Sequence, residues 1–561
     1  MSKILFILAA TVLLLPLSSA FAQGETMDFK TFLENYESRM VPLAKAANLA
    51  WYNAAVSGKD EDYKQSEKLK IEITRILSDK KDFETLKRLK EANAITDPVL
   101  KRELDLLLDA FRSNQAPPEK LEEIVKLETK VEQRFSTYRA TVGGRTVTDN
   151  EIEKILGDST DSALLRDAWL GSKQVGALVE KDVLELAERR NAIARDIGFK
   201  NYYEMSLRLD EQDPAHIEAL FEQLDSLTRD KYREIKDKEI DPFLSARLNV
   251  PVKDLMPWHY QNRFFQKAPA VYSVDMDAFY KGADVVEVAR KFYRGIGIEV
   301  DGILANSDLY EKPGKEQHAF CTDIDRRGDV RILLNAKNDS EWMETTLHEL
   351  GHAVYSMGYV KSGLPYVLRE EAHTFVTEAI AMMFGRLASN ASFMKTMLGL
   401  PEAEAQRTAN NAFNMVRLQE IVFSRWSQVM YHFEKGLYED PKQDLNALWW
   451  ALVEKYQMIR KPDGRNEPDW AAKIHIATVP CYYHNYLLGE LLASQINAFM
   501  VQNVIKGGDF RNPEYAGRPE IGDYLAQRIF VLGKSLPWEQ LITKATGEGL
   551  TPKHFADQFL N

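Results

Sequence analysis

The sequence predicts a mainly helical protein folded as one large body. Three observations carry that expectation. From about Asp28 to Leu248 apolar residues recur every three or four positions, as at Leu121, Ile124, Val125, Leu127 and Val131, which is the spacing of a helix with one buried face. Prolines in this stretch stand at segment starts such as Pro117-Pro118 and Pro214, where the missing N–H costs nothing. Finally, no strand–helix alternation, internal repeat or Ser/Gly/Pro linker divides the chain, so residues 23–561 read as a single domain, in two lobes.

The first 22 residues read as an export leader. Lys3 gives a positive start, Ile4 to Leu17 are apolar, and Ala20-Phe21-Ala22 is a small-x-small cleavage site before Gln23. No later run approaches the ~20 apolar residues that span a bilayer, so the expected protein is periplasmic or secreted and free of the membrane after cleavage. With 72 Lys and Arg against 84 Asp and Glu, the net charge is −12, which argues against a nucleic-acid partner. Cys321 and Cys481 are too few for a disulfide scaffold or a thiolate metal site, and whether they pair is open.

The best strand pair runs from His318 to Ile324 and from Val330 to Leu334, around the polar turn Asp325–Asp329. Helix resumes after the capping cluster Asn338-Asp339-Ser340. That helix carries His348-Glu349-Leu350-Gly351-His352, which sets two imidazoles one turn apart on one face, a spacing that can share one Zn²⁺. Glu349 stands beside that face as a base for water. A third ligand is needed, and the helical segment Arg369–Phe384 offers Glu370, Glu371, His373 and Glu378. Glu378 lies in its most apolar part, where a carboxylate is costly unless it meets a cation. Downstream, Lys473, His475, Tyr482, Tyr483, His484 and Tyr486 cluster. Tyr or His there can stabilise an oxyanion, and Lys can hold a peptide carboxylate.

These residues resemble the angiotensin-converting-enzyme (peptidyl-dipeptidase A) family of zinc metallopeptidases, from roughly Phe135 to Leu387 and from Trp449 to Ala498. The string at His348 is similar to the family's His-Glu-Met-Gly-His. Leu368-Arg369-Glu370 and Glu378-Ala379-Ile380 match its Leu-Arg-Glu and Glu-Ala-Ile-Gly, and Ala472-Lys473-Ile474-His475-Ile476, Val479-Pro480 and Tyr483-x-x-Tyr486 match its later elements. The resemblance implies a helical, two-lobed ellipsoid with a deep central channel, a small β element beside a gluzincin zinc site, and one Zn²⁺ per chain held by His348, His352 and Glu378. It assigns Glu349, His475 and Tyr486 to catalysis. Lys473, Tyr483 and Gln261 would hold the substrate's C-terminal carboxylate, and His318 and Ala319 its backbone. The implied activity is release of C-terminal dipeptides from short peptides with a free C-terminus.

Two departures stand out. The family's Asp four residues after the zinc Glu, which supports a zinc histidine, is here Met382. Two arginines that bind activating chloride in animal members correspond to Val453 and Asn485, so chloride dependence is not expected. The rivals are a thimet-type oligoendopeptidase, which shares the motif, and a catalytically silent peptide-binding protein, against which the intact Glu349 counts.

Overall fold

The structure, a computed structural model, describes residues 14–272, 274–360 and 363–560. The expected leader lies outside the described residues as far as residue 13; from Leu14 the backbone belongs to the helix Leu14–Ser57. The fold is mainly helical, as the periodicity predicts, and the helices begin where short polar side chains satisfy their open N–H groups. Asp97 accepts from Val99 and Leu100, Asp161 from Ala163 and Leu164, and Thr148 forms a capping box with Glu151. Pro118 and Pro214 open helices as expected, but Pro42 sits inside the first helix.

Among the described residues the strands form two antiparallel hairpins. One, Ala140–Val142 with Arg145–Val147, interrupts the stretch that periodicity reads as continuous helix. Its turn is Gly143-Gly144, with φ of 56° and 79°, a two-residue turn that only residues tolerant of positive φ can make. The other pairs Phe320–Asp323 with Val330–Leu333, placing Cys321 opposite Ile332. It is the expected pair, except that His318 and Ala319 precede the strand. Asp308 bridges the far edge of the second strand, whereas the edge of Phe320–Asp323 pairs with no other strand among the described residues.

A single large apolar cluster runs through the body from Ala116 to Leu560. The N-terminal helices, down to Ser113, keep a smaller cluster of their own around Phe29, Phe32, Leu86, Leu104 and Phe111. They meet the body through polar links and one small apolar contact: Lys45 pairs with Asp325 at 2.9 Å, Asn48 donates to the Asp323 carbonyl at 3.2 Å, Arg102 pairs with Glu211, and Tyr52 and Ala55 pack on Ile324, Leu333 and Phe320. Between the two lies a cavity of about 400 Å³. Cys321 and Cys481 are both free thiols. No helix among the described residues is long and apolar enough to cross a membrane.

Candidate active site

Three helices build the site. The motif helix, Ser340–Val360, starts at Asp339, whose side chain accepts from the Trp342 N–H at 2.8 Å. The glutamate helix is Thr374–Gly385, capped by the His373 ring, which accepts from the Phe375 N–H at 3.2 Å. It therefore begins five residues later than the sequence reading: Glu370 and Glu371 precede it, and Glu370 is engaged by Arg326 and Lys534. The tyrosine helix is His484–Phe499. Glycines let these helices touch. A β-carbon at Gly351 would stand 2.8 Å from Ala381 Cα, and one at Gly489 would stand 3.2 Å from Glu378 Cβ.

This packing brings His348, His352 and Glu378 together, with ligand atoms within 4.8 Å of one another. The Nε2 atoms of the two histidines are 3.2 Å apart, and Glu378 Oε2 lies 3.6 Å from His348 Nε2 and 3.9 Å from His352 Nε2. Ligands at ~2.0–2.1 Å from a tetrahedral Zn²⁺ are ~3.3 Å apart, so the triangle fits one such ion. The donor chemistry fits as well. Burial holds the His348 imidazole down at about 4 and His352 well below its usual value, so both are neutral, the ligating form. His352 Nδ1 lies 2.8 Å from Thr377 Oγ1; with Nδ1–H donating there, the Nε2 lone pair faces Glu378. Thr377 thus takes up the support that Met382 cannot give. Burial, then the repulsion of neighbouring carboxylates, raises Glu349 to about 8 and Glu378 to about 7. No Lys or Arg among the described residues pairs with either, as a site awaiting a cation requires.

The downstream cluster packs as one unit. The Tyr483 ring contacts His475 at 5.3 Å and Tyr486 at 5.4 Å between centroids, and its hydroxyl accepts from Trp426 Nε1 at 2.9 Å. Tyr486 lies close enough to Glu378 to feel its charge, as does Tyr482. Lys473, 7% exposed, is surrounded by the rings of Tyr483, Trp426 and Phe264 and donates to Gln266 Oε1 at 2.7 Å. Burial brings its ammonium down to about 7. Gln261 is not brought to Lys473: its Nε2 donates to the Gly157 carbonyl at 2.6 Å and its Oε1 accepts from Ala270 N–H at 3.2 Å. Gln266, five residues on in the same loop, occupies that place. The His318 side chain is 95% exposed, its Nδ1 3.0 Å from Glu316, and Ala319 leads into the strand that packs against the motif helix.

The family model for angiotensin-converting enzyme, peptidase family M2, matches residues 23–554, including the N-terminal helices in which sequence inspection finds little likeness. The angiotensin-converting enzyme of Theromyzon tessulatum is 23% identical over 566 residues, covering 95% of this chain and 90% of that protein. The enzymes of Sus scrofa and Oryctolagus cuniculus are 23% and 28% identical over 496 and 273 residues. Those matches cover 82% and 47% of this chain, and the chain spans only 38% and 20% of the two relatives' length.

Proposed function

The chain belongs to the angiotensin-converting-enzyme family and is a zinc metallopeptidase acting on peptides, and on that premise we propose that it releases C-terminal dipeptides from short, exported peptides. His348, His352 and Glu378 would hold the zinc, which when bound would act as a Lewis acid toward the peptide carbonyl and water. The remaining work falls to side chains. Glu349 takes the proton of the attacking water and passes it to the leaving amine nitrogen. Tyr486 and His475 donate to the carbonyl oxygen as charge develops on it. Burial favours both roles, because it raises the Tyr486 hydroxyl and holds His475 near 4, so each donates as a neutral group.

The observation that carries the exopeptidase reading is Lys473, a buried ammonium whose hydrogen-bond partner is an amide oxygen rather than a carboxylate. A substrate C-terminus would supply the missing anion, assisted by Tyr483 and by Gln266, with Gln261 setting the loop that carries Gln266. The unpaired edge beside His318 and Ala319 suits the peptide backbone. The leader sequence supports export to the periplasm or medium, with residues 23–561 as the peptidase domain. The test is product analysis of a defined decapeptide with free or amidated C-terminus, on protein assayed for one zinc per chain. Dipeptide release that falls at least about tenfold on amidation supports the reading, since a charge-assisted hydrogen bond is worth ~1.5–3 kcal/mol. Internal cleavage indifferent to amidation would make the chain an oligoendopeptidase, and peptide binding without products a silent binder.

Chloride independence is part of the proposal. Val453 lines a small pocket where Lys173 sits 3.2 Å from the Phe264 ring centre and Asp469, held by Arg465 at 2.6 Å, already supplies the anion. Asn485 accepts from Gln212 Nε2 at 2.7 Å, and the other end of that amide meets His484 at 2.6 Å. Turnover at constant ionic strength should stay flat when chloride replaces acetate.

A further inference from the structure

Beside the site lies a second cavity, of about 370 Å³, within the range of small-ligand pockets. Its wall includes Pro269, Glu344, Arg386, Met415, Gln419 and Glu420. Glu344 is one turn before His348 on the motif helix, about 6 Å along its axis. A β-carbon at Gly385 would stand 3.4 Å from Glu344 Cγ and 3.5 Å from His348 Cβ, so the chain leading into Arg386 packs on the motif helix across both residues.

The one cation of the wall, Arg386, is already taken by carboxylates. Glu344 is surrounded by protein closely enough for its carboxyl to rise to about 7, yet solvent reaches the side chain because it faces the cavity. Its carboxylate has no hydrogen-bond or ion-pair partner among the described residues. Glu420 is 7% exposed; its Oε1 lies 3.3 Å from Arg386 Nε, and its Oε2 is buried without a partner. Arg386 is also bound by Glu490, one turn beyond Tyr486 on the tyrosine helix. One guanidinium thus serves two carboxylates, Glu420 and Glu490, and leaves Glu344 and the buried Glu420 Oε2 without a partner, an arrangement that favours the arrival of a further cation. These oxygens do not converge as metal ligands do: among the described residues the only such group is His348, His352 and Glu378. An extended organic cation suits them better than an ion.

The loop that walls the cavity also reaches Lys473. Gln266 accepts from Lys473 Nζ, and two residues later Ala268 N–H donates to Gln419 Oε1 at 2.9 Å. A peptide whose carboxylate rests on Lys473 therefore has its last side chains beside this wall. We propose that the cavity receives a lysine or arginine side chain from one of the last two residues of the substrate, selected by Glu344 with Glu420 behind it. The inference rests on the peptidase reading above and adds the class of peptide.

The test uses the zinc-loaded full-length enzyme and two peptide series, identical except for Lys, norleucine or Glu at the last or the penultimate residue. In one series kcat/KM for Lys should exceed that for norleucine at least tenfold, with Glu the poorest. Glu344→Gln should lower the Lys-to-norleucine ratio about tenfold, and Glu344→Lys should turn the preference toward Glu. Equal kcat/KM across both series, or a Lys preference that survives Glu344→Gln, would overturn the proposal. Calorimetric titration of the same peptides into the zinc-loaded Glu349→Gln variant, with and without Glu344→Gln, reads the pocket without appreciable turnover. A Glu344-dependent Lys preference in Kd upholds the pocket even where product analysis rejects dipeptide release, and equal Kd values overturn it.

Discussion

Glu349 and Thr377 do different work within a few ångströms of the same histidines. The Glu349 carboxyl, raised to about 8 by burial and by Glu378, is a strong base once a neighbouring cation ionises it. Glu349→Gln keeps size and hydrogen bonding, so the variant should retain zinc while kcat falls ~10²–10⁴-fold. Metal content and turnover measured together check this, and more than about a tenth of kcat remaining would remove Glu349 from the proton path. Thr377→Val preserves shape and deletes only the oxygen 2.8 Å from His352 Nδ1. Zinc affinity, measured against a competing chelator, should drop ~10–100-fold, as for other losses of ligand support. An unchanged affinity would mean that His352 is oriented by packing alone. The sequence displays His348, Glu349, His352 and Glu378 plainly, because ligand spacing is a local property of a helix. Thr377 and Gln266 are not legible there, since their roles depend on how a second helix or loop approaches.

At the scale of elements, the site depends on the distance between helix axes. Gly351 faces the Ala381 backbone, so Gly351→Ala must push the motif and glutamate helices apart. Overpacking of this kind costs ~1–3 kcal/mol, and zinc affinity should fall with the melting temperature because the same crossing positions His348 against Glu378. Gly157, on the helix Asp149–Asp158 with nothing within 4 Å of its would-be β-carbon, is the control: Gly157→Ala should be neutral or stabilising. Equal effects at the two positions would refute the close-approach argument. The start of the motif helix is readable in sequence because Asp339 caps it through its own side chain. The start of the glutamate helix is not, because a buried histidine serves as cap there. The hairpin at Gly143-Gly144 carries a readable signal, β-branched residues flanking paired glycines, which the surrounding helical periodicity masks.

At the scale of the whole molecule, helical class follows from periodicity, whereas the cavities that give the fold its use arise where elements distant in sequence fail to meet. Global stability should respond to Glu434, buried with its Oε1 accepting from the Cys481 N–H at 2.8 Å and its carboxyl raised by burial from 4.5 to about 8. The folded chain keeps this proton at pH values where the unfolded chain has released it. Its stabilising effect is therefore complete below pH 4.5 and is lost as pH rises toward 8, with a slope of up to about 1.4 kcal/mol per pH unit. Glu434→Gln keeps the acceptor and removes the titration, so chemical denaturation should show the variant gaining on the parent between pH 5 and 8. Parallel stability curves would contradict it. The separate apolar cluster of the N-terminal helices bears on motion. The seam beneath it is largely ionic and cavity-lined, with a single small apolar contact at Tyr52, Ala55, Ile324 and Leu333, which makes the N-terminal helices and the body two foldons of unequal stability. Amide protons from Asp60 to Ser113 should exchange with deuterium through a partial unzipping of that seam while those of the motif helix stay protected. Added salt, by loosening its ion pairs, should speed that exchange.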